Sequence, residues 1–96
     1  MNDTQLKLAS ISMDLKRVAL SYYRNSNATA QTFSKEALKR SNEINIKSLK
    51  PYLAKILANL KTILNQKDKL KVAEDALMYS TILQNSVTSS EEKTDL

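Results

Sequence analysis

Glycine, cysteine, histidine and tryptophan are all missing from this chain of 96 residues, and it holds a single proline. The lack of glycine excludes the most, since average usage of roughly 7% would place about seven in a chain of this length. Phosphate-binding loops, dinucleotide fingerprints and nucleophile elbows need backbone conformations that glycine alone adopts cheaply, so those ligand and enzyme classes are out. Tight hairpins favour glycine for the same steric reason, which weakens any β-rich reading. Without Cys or His there can be no thiolate zinc site, disulfide, Cys–His dyad or Ser–His–Asp triad. Nothing marks a redox compartment.

Long apolar runs are missing as well. The longest stretch without a charge, Ala76 to Ser90, is at least half polar, far from the roughly 20 apolar residues of a membrane span. The opening Met-Asn-Asp-Thr-Gln has no basic region leading into an apolar one, so the expectation is a cytoplasmic protein with no membrane partner. The length suits one domain with a modest core.

What is present is helical periodicity. Leu8, Ile11, Leu15, Val18 and Tyr22 recur at steps of three and four and share one face of a helix. Asp3 or Thr4 is the expected cap of that helix. Asn25-Ser26-Asn27 breaks the pattern, and because Asn tolerates the left-handed conformation, Asn25, Asn27 and later Asn65 are read as stand-ins for glycine. A second helix is expected from about Ala28 to Ile44. Ala30, Phe33, Ala37 and Ile44 form its narrow stripe, with Glu36–Arg40 and Glu43–Lys47 as i,i+4 pairs on the other face.

Ser48-Leu49-Lys50-Pro51 reads as a helix start, and Leu53, Ile56, Leu57, Leu60, Ile63 and Leu64 make the strongest stripe in the chain, ending near Asn65. Asp68 is the expected cap of a fourth helix running to about Asn85, with Leu70, Ala73, Ala76, Leu77 and Leu83 inward. The expected fold is all-α: an up-down-up-down four-helix bundle over 1–87, followed by a flexible, disordered acidic Ser/Thr-rich tail over 88–96. The alternative is a three-helix core with helix 2 loosely docked.

Leu6, Met13 and Leu20 are spaced by seven and lie opposite the inward stripe of the first helix. On the fourth helix Met78 and Ile82 likewise stand apart from the inward set. Together these five residues are the candidate interface, for which the simplest occupant is a second copy of the chain in a homodimer and the fallback another protein.

Catalysis and metal binding find no support. Outside the tail no two acidic residues fall three or four apart, the spacing that carboxylate-metal bundles use, so the expectation is a non-enzyme without cofactor or metal. Tyr22-Tyr23-Arg24 reads as a packed aromatic corner with a cation near a helix end.

Charge is unevenly placed: +2 over residues 1–34, +7 over 35–73 and −4 over 74–96. Lys50, Lys55, Lys61, Lys67, Lys69 and Lys71 are therefore a candidate basic patch, and nucleic-acid binding through it is the alternative function. Against it, twelve of the 15 basic residues are Lys, whereas base reading favours Arg forks. The break at Asn65 to Asp68 also leads into a helix with Glu74 and Asp75, unlike a recognition helix. In the tail, Thr94-Asp95-Leu96 fits a carboxylate-capture pattern and Ser89 to Glu92 an acidic kinase site.

Overall fold

A computed structural model describes residues 2–94 of the backbone and the side chains of residues 2–89. The four helices are α1 (Asp3–Tyr23), α2 (Asn27–Asn42), α3 (Pro51–Leu64) and α4 (Lys69–Thr94), with a short 3-10 turn at Ile46–Ser48 before α3. The described residues contain no strand.

Each helix end has a local cause. α1 is capped by Asn2 and not by Asp3 or Thr4: the Asn2 side chain accepts from the Gln5 amide at 2.8 Å, and the Gln5 side chain accepts from the Asn2 amide at 3.0 Å. Only from Asn2 does a Gln stand three residues on, which closes a capping box. At the other end Asn25 takes φ 60. Its amide donates to the Tyr22 carbonyl at 3.0 Å and that of Ser26 to the Ser21 carbonyl at 2.8 Å, the two bonds of a Schellman motif.

The other two asparagines do not replace glycine. Asn27 is the first residue of α2, and Asn65 closes α3 at φ −98 and ψ 8. There the Gln66 side chain donates to the Ile63 carbonyl at 2.8 Å, satisfying an end group without a left-handed residue. Pro51 opens α3, where its missing N–H is harmless. Asp68 caps α4 as expected, accepting from the amides of Leu70 at 3.0 Å and Lys71 at 3.3 Å.

Neighbouring helices run antiparallel. Asp14 meets Arg40 and Ser12 meets Ser80, while the start of α3 shares a cleft with Leu8 and its end another with Tyr22. The result is the up-down-up-down bundle, with α1 flanked by α2 and α4 and diagonal to α3. Ile11, Leu15, Val18, Leu60, Val72 and Leu83 are the largest fully buried side chains.

Helix 2 is not loosely docked. Ala30 and Ala37 are completely buried, and such small side chains let α2 approach α1 closely. The same device joins α1 to α4, through Ser12 and Ala19 on one side and Ala73, Ala76 and Ser80 on the other. α3 instead stands off on its long Leu and Ile side chains.

One expectation for an ion pair and one for the core need correction. α2 ends at Asn42, so Glu43 is its cap and Lys47 lies in the 3-10 turn; their ion pair does not form. Glu36 and Arg40 do pair, at 3.9 Å, the same guanidinium also bonding Asp14 at 2.8 Å. On α4, Leu70 and Leu77 point outward at 60% and 39% exposure, and Val72 and Ser80 take the inward places.

α4 also outruns its expected end near Asn85. Val87, four residues after Leu83, is buried in the core, and the helical backbone runs to Thr94. The Ser89–Glu92 site reaches beyond the described side chains, and the Thr94-Asp95-Leu96 motif beyond the described backbone. Among those that are described, no helix is long and apolar enough to cross a membrane.

Candidate interaction surface

The outer face of α1 follows directly from its spacing. Seven residues turn a helix through about 700°, only about 20° short of two full turns, so Leu6, Met13 and Leu20 form a nearly straight row. Their exposures are 54%, 53% and 40%, while Leu8, Ile11, Leu15, Val18 and Tyr22 on the opposite face are buried. A helix whose inner face is already fully packed thus carries a second apolar row.

α4 adds to this row from the side. Met13, Lys16, Leu77 and Thr81 border a groove of about 350 Å³ between the two helices. Ser12 and Ser80 also line it and fix its register. The Ser12 hydroxyl donates to the Ser80 carbonyl and the Ser80 hydroxyl to the Ser12 carbonyl, each at 2.7 Å. Both serines are buried, so this reciprocal clasp holds the two helices against sliding. Leu70, one heptad before Leu77, lies on the same side of α4.

The five expected interface residues do not form one surface. Leu6, Met13 and Leu20 share the α1 row, and Leu77, which sequence reasoning placed in the core, joins Met13. Met78 lies about 100° round α4 from Leu77 and faces outward at 51% exposure. Ile82 is partly buried against the core and shares a shallow cleft with Tyr52 of α3, on the far side of α4.

The basic residues are dispersed. Lys50 sits at the start of α3, whereas Lys67, Lys69 and Lys71 lie beyond its end, and the 14 residues of α3 separate the two groups by about 21 Å. Lys55 and Lys61 are exposed along α3, and Lys61 borders a cleft towards Leu38 and Ile44. Lys69 places its ammonium 5.7 Å from the centre of the Tyr22 ring, and Lys71 pairs with Asp75 at 3.1 Å.

Two polar clusters escaped the sequence reading. Asp14 is buried and bonded by Arg40 at 2.8 Å and Arg17 at 3.4 Å, while Arg17 also lies over the Phe33 ring at 5.3 Å. This cluster ties α1 to α2. At the α3–α4 turn the Gln66 amide bonds Asp75 at 2.8 Å. That bond, with Lys71 beside it, holds the Asp75 carboxyl below the usual carboxylate range, and Asp75 in turn raises Lys71. The described residues hold no cluster of three His, Cys, Asp or Glu side chains suited to a metal.

In comparisons with known proteins, no family model, no curated protein and no solved structure matches this chain.

Proposed function

We propose that the protein is a non-catalytic helical interaction module that pairs with a second copy of itself through the outer face of α1. The observation that carries this reading is the exposed row Leu6, Met13 and Leu20, broadened by Leu77 across the groove. Contiguous exposed apolar surface of this kind marks interaction sites.

The row is suited to a two-fold pairing. In a symmetric dimer each copy offers the same patch, and Leu6 and Leu20 stand equally far from Met13. An antiparallel pair centred on Met13 sets Leu6 of one copy against Leu20 of the other. It also brings Asp3 of each copy near Arg24 of the other, so the ends of the seam carry opposite charge. The reading favours a cytoplasmic homodimer, with capture of another protein by the same row as the fallback.

Because the chain has no cysteine, single thiols report the register directly. Under mild oxidation Met13→Cys is expected to link to itself, and Leu6→Cys to link to Leu20→Cys in a mixture but poorly to itself. Efficient self-linking of Leu6→Cys, with none by Met13→Cys, contradicts the antiparallel pairing.

The alternative, binding of nucleic acid by Lys50, Lys55, Lys61, Lys67, Lys69 and Lys71, rests on the +7 segment. Such binding falls steeply with salt, and absence of any complex at 50 mM salt dismisses it. Charge reversal at Lys67 and Lys71 abolishes that binding while leaving a seam on α1 untouched.

A further inference from the structure

We propose that the cleft at the end of the bundle where α1 and α3 finish and α4 begins binds a small organic anion, a carboxylate or phosphate group on a short apolar stem. The cleft holds about 250 Å³, less than the roughly 300–1,000 Å³ of sites for drug-sized ligands. Its apolar walls are Tyr22, Leu38 and Leu64.

Charge decides the ligand's sign. Lys35 and Lys69 both line the cleft, no Asp or Glu does, and neither lysine belongs to an ion pair among the described residues. Each lysine has an acid beside it in sequence, but Glu36 pairs with Arg40 at 3.9 Å and Asp68 accepts from the amides of Leu70 and Lys71. Lys69 is held at the wall by the face of Tyr22. The helix ends roughly cancel, since the positive starts of α2 and α4 lie at the same end of the bundle as the negative ends of α1 and α3, and the two ammonium groups are left as the net charge.

Hydrogen-bonding capacity is also unspent. The Ser34 hydroxyl is buried with no partner among the described residues, an uncommon state for a buried polar atom, and Ser34 is one of the cleft's residues. Gln31 and Asn65 supply amide groups around it. Two lysines with no carboxylate within 4.0 Å among the described residues, an orphaned hydroxyl and amides above an aromatic and aliphatic wall suit an anionic head on an apolar body. Tyr22 and the Met13 row lie on opposite faces of α1, so this site and the proposed seam are separable.

The test is an NMR titration of the isotopically labelled full chain with benzoate, inorganic phosphate and the neutral benzyl alcohol. Benzoate is expected to move the signals of Gln31, Ser34, Lys35, Asn65 and Lys69 along one saturable curve. It should bind more tightly than phosphate, and benzyl alcohol should have little effect. The double change Lys35→Ala and Lys69→Ala should weaken benzoate at least tenfold, while Lys55→Ala leaves it unchanged. An equal response to benzyl alcohol overturns the proposal, as do unsaturable shifts at lysines all over the surface.

Discussion

Asn25 holds the one left-handed backbone found among the described residues, at φ 60. A side chain there is tolerated because Asn is short and polar; a β-branched residue crowds the following carbonyl, at about 1–2 kcal/mol. Asn25→Gly should therefore be neutral or slightly stabilising, and Asn25→Val should lower stability by about 1–2 kcal/mol in urea unfolding. This position was legible in the sequence because a helix must end before Ser26 and no glycine was there to end it. Asn65 looked equivalent and is not, because Gln66 reaches back to the Ile63 carbonyl, a contact that no composition rule foretells.

Between elements, the stripes of α1 and α3 were readable because Leu, Ile and Val mark every inward turn. α4 was harder, since its inner face is made of Val72, Ala73, Ala76 and Ser80 while Leu70 and Leu77 point out. Hydrophobicity ranks Leu above Ser, so a reading by residue type places Ala73 and Ala76 inward correctly but adds Leu70 and Leu77 in place of Val72 and Ser80. The answer lies in the Ser12–Ser80 clasp, whose partners are 68 residues apart in the chain, and in the need for small side chains where two helices nearly touch. The Asp14–Arg40 bond, 26 residues apart, was invisible for the same reason.

That bond gives α2 its own test. Asp14 is almost fully buried, at 4% side-chain exposure against 39% for Arg40, and losing a partner strands a charge that cannot return to water. Arg40→Met should cost about 1–3 kcal/mol, softened by the remaining Arg17, whereas Asp14→Leu combined with Arg40→Met should recover most of it. Thermal unfolding of the three variants decides. At the α3–α4 turn the sign is set by Asp75, whose carboxyl is lowered chiefly by the Gln66 hydrogen bond. Its stabilisation is present above the unfolded carboxyl pKa and is lost as the pH falls from about 4 through the lowered folded value. Asp75→Asn or Gln66→Ala should flatten that part of the acid unfolding curve, and an unchanged slope contradicts the assignment.

At the scale of the whole molecule, the bundle completes its core and still leaves an apolar row on the outside. Leu6, Met13 and Leu20 were identifiable from spacing alone, while the contribution of Leu77 required the phase of α4. If a second copy covers this face, as proposed, the bundle itself should be stable without it, because the inner face of α1 is independently packed. Sedimentation equilibrium at micromolar concentration, comparing the native chain with Met13→Lys, tests this most directly. The expected result is a dimer for the native chain and a folded, fully helical monomer for the variant. A native chain that sediments only as a monomer across that range contradicts it.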